Sequence, residues 1–260
     1  MLRSLRRHNP GRALSGLLFY EFCWHLCWIG LTALYRLRCW GGQHVPADGA
    51  FLVVANHQSH FDPVLVGMAM RNRHLNFLAR STLFTNPLFG GMIARLNAVP
   101  LKQGEGDRGA IRTSLEQLAE GRAMLVFPEG SRTGDGRMHQ FKRGAWLLMS
   151  KARCPILPVA VEGAYDSWKR GTPLPRLFGR RIAVRIGKPI PAETLLAMPA
   201  DEGLRYLARV VDDLRQSLVE PLEHAGMRLS TGPFVDEQEA ESPASPPPGQ
   251  PPAGHGQPIG

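Results

Sequence analysis

The chain has 260 residues, an apolar fraction of 43% and a formal net charge of +9. That length is enough to bury one good core, and the composition excludes a fibrous or wholly disordered protein. A basic surface attracts anionic membranes, nucleic acids or phosphorylated ligands. Because no run of Lys and Arg is interleaved with aromatic residues and no nucleic-acid motif is present, we favour membranes and phosphates and expect no nucleic-acid partner.

The first 40 residues are predicted to be a helical segment that associates with a membrane. Basic residues precede an apolar stretch from about Ala13 to Tyr35, which is long enough for one span. Four polar residues fall on one narrow stripe of this helix: Glu21, His25, Thr32 and Arg36. Both ends are positively charged, so the positive-inside rule gives no orientation. These features favour a helix lying in the membrane interface.

In this in-plane arrangement, we expect Trp24, Trp28 and Trp40 to lie near the lipid headgroups. A membrane span and a helix packed on the globular core are the two alternatives. The four cysteines show neither a paired framework nor the spacing of a metal site: Cys23, Cys27, Cys39 and Cys154. Free thiols in a reducing cytoplasm are therefore expected, which favours the cytoplasmic face of the membrane.

Residues 41–228 alternate between apolar runs and helical patterns. Six runs are predicted strands: Phe51–Ala55, Asn76–Ala79, Ala98–Leu101, Ala123–Phe127, Ile156–Val161 and Ile182–Ile186. Four segments are predicted helices: Pro63–Arg71, Asp107–Glu120, Gly144–Lys151 and Asp201–Leu222. Asp62 is a candidate N-cap for the first of these helices. The alternation predicts a layered α/β domain with a mostly buried mixed sheet.

Residues 229–260 are predicted to be a disordered tail. The apolar content falls after about Leu229, and Ser242 to Pro258 is rich in Pro, Gly and Ser. Such a segment cannot bury enough surface to offset the entropy lost on ordering it.

The segment Asn56-His57-Gln58-Ser59-His60-Phe61-Asp62 follows the first predicted strand. The turn between that strand and the next helix can bring His57 and Asp62 together. A carboxylate orients an imidazole, holds it in one tautomer and stabilises it as it gains a proton. The pair can therefore act as a general base and its partner. Two alternatives are a plain helix cap and a metal site that adds His60, for which no further ligand cluster is evident.

A second segment, Phe127-Pro128-Glu129-Gly130-Ser131-Arg132-Thr133, forms a turn at a strand end, where open α/β sheets place ligands. Arg132 can grip a phosphate with two donors. Glu129 can accept from a substrate hydroxyl or neutralise a nearby base. The bases of Phe141-Lys142-Arg143-Gly144 stand before a helix start, which favours anions. The alternative is a surface turn with a Glu–Arg pair.

Asn-His-x4-Asp followed by Phe-Pro-Glu-Gly-Ser-Arg resembles the glycerolipid acyltransferase family, that is, the 1-acylglycerol-3-phosphate acyltransferases and their relatives. Further segments resemble the family's: Asn86-Pro-Leu-Phe-Gly90, Leu96 to Leu101, and Pro155-Ile-Leu-Pro-Val-Ala-Val161. The resemblance implies transfer of an acyl group from acyl-CoA or acyl-carrier protein to a glycerolipid hydroxyl, with no metal or bound cofactor. It implies that His57 is the base and Asp62 its partner, and that Glu129, Gly130 and Arg132 bind the acceptor.

The chain departs from the family in the middle segment, where a hydrophobic residue, an acidic residue and a phosphate-binding arginine are common. Here Leu101-Lys102-Gln103 stand instead. Side chains alternate on a strand, so a base moved to Lys102 points to the other face. The base has either moved to Lys102 or been replaced by Gln103, and Lys102 and Arg80, which is expected to compensate, are further candidate residues for binding the acceptor.

This departure leaves a different acceptor open, either another lysophospholipid or an amino-acid-derived lysolipid. A hydrolase is disfavoured because neither Ser59 nor Ser131 lies in a G-x-S-x-G elbow. The non-enzyme alternative is a membrane-binding protein that keeps the fold.

Overall fold

A computed structural model describes residues 2–71, 73–101 and 106–235 of the chain. Within these ranges, seven strands form one sheet in the order β1-β7-β6-β2-β5-β3-β4. The strands are β1 (Arg38–Trp40), β2 (Phe51–Ala55), β3 (Leu75–Arg80), β4 (Ala98–Leu101), β5 (Ala123–Val126), β6 (Ile156–Glu162) and β7 (Ala183–Ile186). Neighbours are parallel, apart from the antiparallel pair β6 and β7. The predicted layered α/β domain with a mixed sheet is confirmed.

Helices cover both faces of this sheet. They are α1 (Leu2–His8), α2 (Leu14–Tyr35), α3 (Asp62–Ala69), α4 (Pro87–Arg95), α5 (Gly106–Ala119), α6 (Arg143–Ala152), α7 (Ala164–Ser167), α8 (Ala192–Leu196) and α9 (Ala200–His224). The central strand β2 shows the layering, because Val53 packs into the core under α2 and α3, whereas Val54 packs under α5, α6 and α9. Side chains of a strand alternate between faces, so a strand buried on both sides is apolar throughout, as β2 is.

All six predicted strands and four predicted helices are present, with ends that shift by one or two residues. The sequence patterns missed β1, which has only three residues and no apolar run, the short helices α7 and α8, and the longer α4. That helix starts at Pro87 and is capped by Asn86, whose side-chain oxygen accepts from the N–H groups of Leu88 and Phe89, both at 3.0 Å. Asn before Pro is a favourable helix start, so the signal for α4 was available.

Both predicted domain boundaries shift. Arg38–Trp40 belong to the sheet as β1, so the domain starts before residue 41. Residues 229–235 pack on the domain: Ser230 N–H donates to Asp166 at 2.7 Å, and Val235 N–H donates to the carbonyl of Met138 at 3.0 Å. The predicted start of the tail at residue 229 is therefore too early. The rest of the predicted tail, residues 236–260, lies outside the described residues.

Helix α2 packs along one face and exposes the other. Leu17 and Tyr35, near its two ends, are both 1% exposed, whereas Phe22 and Ile29 on the opposite face are 65% and 66% exposed. Among the described residues, α2 is the one helix long and apolar enough to cross a membrane. Because its buried side runs nearly its full length, the helix lies along the domain rather than projecting from it.

Two features of α2 could not be seen in the sequence. Trp24 and Trp28 stack on each other, with ring centroids 5.3 Å apart, and are partly buried against the core, while their position near the headgroups stays a prediction. Glu21, a member of the polar stripe, turns toward the domain and bonds the ring of His74 at 2.8 Å. His25 and Thr32 are exposed, and they mark one edge of the outward face.

Candidate active site

The candidate site lies where the carboxyl ends of neighbouring parallel strands meet. His57 follows β2, Glu129 follows the adjacent β5, and Arg80 is the last residue of β3 on the other side of β5. Strands that run parallel finish at the same edge of the sheet, so these segments are brought together by the topology. A backbone hydrogen bond also holds the loops after β2 and β5 together: Thr133 N–H donates to the carbonyl of His57 at 2.9 Å.

The imidazole of His57 is held by a carboxylate and an aromatic ring. Its Nδ1 lies 2.8 Å from Oδ2 of Asp62, and its ring stacks on Phe127 with centroids 3.9 Å apart. The side chain of His57 remains 18% exposed. A carboxylate at Nδ1 keeps the proton on that nitrogen, which leaves Nε2 with the lone pair that can accept a proton from a substrate.

Asp62 is completely buried and anchors the loop that carries His57. Besides the imidazole, its Oδ2 accepts backbone N–H groups of Gln58 at 2.6 Å and Ser59 at 2.7 Å. The predicted capping role is wrong, because α3 begins at Asp62 itself and Phe61 occupies the N-cap position. The carboxylate turns back to the preceding loop, and the three donors at Oδ2 compensate for part of the loss of water around the charge, whereas Oδ1 has no hydrogen-bond partner among the described residues.

Glu129 is placed differently from the expected contact with the acceptor. It is 5% exposed, and its two oxygens accept from the backbone N–H groups of His57 at 2.7 Å and His139 at 3.0 Å. Burial raises the pKa of Glu129 to about 8, against the lowering effect of these two hydrogen bonds. This arrangement gives Glu129 a positioning role beneath the His57 loop.

Gly130 forms the tight turn between Glu129 and Arg132. Its φ of 74° is in the left-handed region, and its N–H donates to the carbonyl of Phe127 at 3.0 Å. A Cβ at this position would lie 3.0 Å from Nζ of Lys142, whose side chain crosses the turn. Glycine is therefore favoured by the turn conformation, whereas the end of the flexible Lys142 side chain could shift to make room for a Cβ.

Three arginines come close together beside this acid–base pair, and we call Arg80, Arg132 and Arg170 the basic cluster. Arg132 is half-buried, and within the described ranges its buried Nη1 has no hydrogen-bond partner. Burial lowers the pKa of Arg132, the charges of Arg170 and Arg80 lower it further, and Asp62 opposes them. Arg170 also donates to the carbonyl of Arg132 at 3.3 Å. Like charges gathered in this way favour an anionic ligand.

Arg170 was not predicted, although two adjacent basic residues, Lys169 and Arg170, follow β6 closely in the sequence. Arg80 was predicted, and the structure places it within electrostatic range of Arg132. Lys102 and its neighbour Gln103 lie outside the described residues.

These features define a class of site: an oriented imidazole that can activate a hydroxyl, beside cations that can hold an anionic group. Comparison with known proteins gives the family. Residues 36–162 match the family model described as Acyltransferase. The 1-acyl-sn-glycerol-3-phosphate acyltransferase of Streptococcus pneumoniae is 30% identical over 226 residues, which cover 83% of this chain and 79% of that protein.

Two further relatives agree. The 1-acyl-sn-glycerol-3-phosphate acyltransferase of Bacillus subtilis is 22% identical over 207 residues, which cover 78% of this chain and 98% of that protein. The crystal structure of the 1-acyl-sn-glycerophosphate (LPA) acyltransferase PlsC from Thermotoga maritima superposes with a TM-score of 0.63 at 25% identity and covers 87% of each chain. The chain belongs to the acyltransferase family and is an acyltransferase enzyme, as the resemblance of its motifs implied.

Proposed function

We propose that this enzyme transfers a fatty acyl group from an acyl thioester, acyl-CoA or acyl-carrier protein, to the free hydroxyl of 1-acylglycerol-3-phosphate in phospholipid synthesis. The observation that carries the proposal is the position of His57, bonded to Asp62 at 2.8 Å, beside the basic cluster. An acceptor with a hydroxyl near a phosphate matches this pairing of a base with cations. The names of the relatives support the same acceptor.

In the proposed reaction, Nε2 of His57 takes the proton of the acceptor hydroxyl as the oxygen attacks the thioester carbonyl. Asp62 stabilises the imidazolium that results, and the bonds from Gln58 and Ser59 keep the carboxylate in place. The tetrahedral intermediate then collapses, the carbon–sulfur bond breaks and the proton returns from His57 to the sulfur. A thiol of pKa about 8.5 is a good leaving group, so no covalent enzyme intermediate is needed. We expect no metal or bound cofactor to be required.

The acceptor phosphate is proposed to bind at the basic cluster. A phosphate between Arg80, Arg132 and Arg170 replaces their mutual repulsion with attraction, and Nη1 of Arg132 gains the acceptor that it lacks among the described residues. Because the phosphate and the base are fixed on one sheet edge, binding also places the hydroxyl near Nε2.

We infer that α2 holds the enzyme in the plane of the membrane, on the cytoplasmic face, where its lipid substrates are found. The outward face of α2 is apolar, and the inward face is occupied by the domain. A helix packed in this way can bury its outward face in the interface without being pulled off the sheet, whereas a span requires the buried Tyr35 and Leu17 to separate from their core contacts. Resistance of the protein to extraction with alkaline carbonate would contradict the in-plane arrangement.

The decisive experiment is a turnover assay of the purified protein with one acyl-CoA donor and a panel of lysolipids. We expect kcat/KM to be highest for 1-acylglycerol-3-phosphate, and the His57→Ala protein to serve as the inactive control. A parallel assay with acyl-carrier protein identifies the donor. Equal rates with a zwitterionic lysolipid would contradict the phosphate assignment. Loss of activity on dialysis against a metal chelator would contradict the metal-free mechanism.

A further inference from the structure

A loop between α7 and β7 carries an exposed surface that acyl transfer does not explain. We call residues 168–182 the α7–β7 loop. It contains five Lys or Arg residues, of which only Arg170 belongs to the basic cluster, and no Asp or Glu. Leu174 and Phe178 are 77% and 79% exposed, and Leu177 between them is 45% exposed. Large apolar side chains grouped at one exposed position, with basic residues around them, mark an interaction surface.

The α7–β7 loop presents these side chains from an ordered base. The N–H of Arg176 donates to the carbonyl of Ser167 at 2.8 Å, and Nε1 of Trp168 donates to the carbonyl of Thr172 at 3.1 Å. Pro173 and Pro175 flank Leu174, and each fixes its own φ. Little conformational entropy is therefore lost when the tip of the loop meets a partner.

The base of the loop adjoins both the active site and the end of α2. The hydroxyl of Ser59 donates to the carbonyl of Trp168 at 3.0 Å. The ring of Phe61 lies 4.9 Å from that of Trp168 on one side and 5.4 Å from that of Tyr35, the last residue of α2, on the other. The α7–β7 loop and α2 therefore flank the segment that carries His57.

We propose that the α7–β7 loop is a second membrane-docking element, which inserts Leu174 and Phe178 into an anionic lipid bilayer. Arg176, Arg180 and Arg181 then lie at the level of the lipid phosphates. Apolar side chains bury in the boundary between headgroups and acyl chains, and each nearby base is attracted by the negative surface potential. Leu174 and Phe178 project as a small tip, which suits a deformable lipid surface better than a protein partner, since a stable protein interface covers roughly 800 Å² per partner.

The direct test is amide hydrogen exchange of the full chain, alone and with vesicles. We expect protection of the loop amides with vesicles of equal parts phosphatidylcholine and phosphatidylglycerol, and weaker protection with phosphatidylcholine alone. This measurement needs no turnover, so its outcome is independent of the proposed acyl transfer. It also reports on the loop separately from α2, which is expected to bind the same vesicles.

A variant pair provides the matched control. We expect Leu174→Ser/Phe178→Ser to lower partitioning onto the anionic vesicles at least about tenfold, because two large apolar side chains no longer become buried. Leu147→Ser/Tyr206→Ser removes two side chains that are 44% and 39% exposed on α6 and α9, and should leave partitioning unchanged. Arg180→Gln/Arg181→Gln should weaken binding about fivefold per charge on anionic vesicles and have no effect on neutral ones.

Three results would overturn the proposal. The loop amides could stay unprotected on anionic vesicles while those of α2 become protected. The control pair could lose as much binding as the loop pair. Protection could also occur only with an acidic carrier protein and not with vesicles, which would assign the loop to a protein partner instead.

Discussion

The two halves of the active site are built in opposite ways. In the acid–base half, the carboxylates of Asp62 and Glu129 accept four backbone N–H groups and the imidazole of His57, and both are buried. In the basic cluster, Arg80 and Arg170 lie within electrostatic range of Arg132, whose buried Nη1 has no hydrogen-bond partner in the described part of the chain. Oδ1 of Asp62 also lacks a partner there, but the backbone bonds fix the loop that carries the base beforehand, whereas Nη1 of Arg132 is a donor that a ligand can use.

The largest expected effect tests the acid–base half. We expect His57→Ala to lower kcat about 10²- to 10⁴-fold, because the base that takes the acceptor proton is lost. The thermal unfolding transition should stay close to that of the parent, since the side chain of His57 is partly exposed and the backbone bonds of the loop remain. A folded His57→Ala protein with normal turnover would remove this mechanism.

Asp62→Asn should lower kcat by roughly 10²- to 10³-fold, through the orientation of His57 rather than its loss. If the amide oxygen takes the place of Oδ2, it accepts the same three donors but carries no charge to stabilise the imidazolium. If the amide nitrogen takes that place, it donates to Nδ1, moves the imidazole proton to Nε2, where the base is needed, and loses the bonds from Gln58 and Ser59. Nitrogen NMR of the imidazole in both proteins would reveal the tautomer. An unchanged tautomer together with full activity would contradict the orienting role.

Arg132→Ala tests the basic half and should mainly affect acceptor binding. Loss of one charge-assisted phosphate contact costs roughly 1.5–3 kcal/mol, which raises the acceptor KM about 10- to 150-fold. The KM of the acyl thioester should change little, and Arg132→Lys should recover part of the loss, because the planar two-donor grip is missing. Lys151→Ala, on α6, removes an exposed charge as the control. Equal losses for phosphorylated and zwitterionic lysolipids would contradict this assignment.

Arg80→Ala and Arg170→Ala should each raise the acceptor KM only about two- to fivefold. Both side chains are exposed, so water and salt screen their interaction with a phosphate. Measuring KM at several salt concentrations checks this explanation, since the effect of either substitution should shrink as ionic strength rises. A loss as large as that of Arg132→Ala would show that the half-buried Arg132 and the two exposed arginines contribute alike.

A separate prediction concerns stability, not turnover, and involves Glu129. Its pKa of about 8 lies above the usual 4.5, so between these values the folded state keeps a proton that the unfolded state has released. The stabilising effect of this group is therefore complete below pH 4.5 and is lost as the pH rises toward 8. In Glu129→Gln the side chain cannot ionise, so we expect a shallower decline of the unfolding free energy between pH 5 and 8. Denaturant unfolding of both proteins at several pH values measures this decline. An equal decline of the unfolding free energy with pH in the two proteins would refute the expectation.

The sequence predicted what depends on local pattern and missed what depends on distant partners. The strands were visible because buried strands are apolar throughout, and His57 and Asp62 were paired correctly because a short turn joins them. The direction of the Asp62 carboxylate was not predictable, since an aspartate before a proline serves equally well as a cap or as an acceptor for the preceding loop. Helix capping is the commoner role of an aspartate at such a position, but here its carboxylate accepts hydrogen bonds from the backbone of the preceding loop.

Glu129 and Arg170 illustrate the second limit. Glu129 is turned inward by the backbone of His139, in a loop whose path is fixed by packing and not by its own sequence. Arg170 reaches Arg132 only because β6 and β5 flank β2 in the sheet, an order that the apolar pattern does not specify. The predicted roles of Lys102 and Gln103 stay predictions.

The attachment of α2 to the sheet has a kinetic consequence. The carbonyl of Tyr35, at the end of α2, accepts from the N–H of Ile182, and the carbonyl of Ile182 accepts from the N–H of Arg38, both at 3.1 Å. These two bonds join the end of α2 directly to the starts of β1 and β7, so the helix cannot rotate freely relative to the sheet. With α2 in the bilayer as proposed, His57 is held at one height above the leaflet. Acceptor then arrives by lateral diffusion while donor arrives from the water, so turnover should follow the mole fraction of lysolipid in the surface and fall when inert lipid dilutes it at constant bulk concentration.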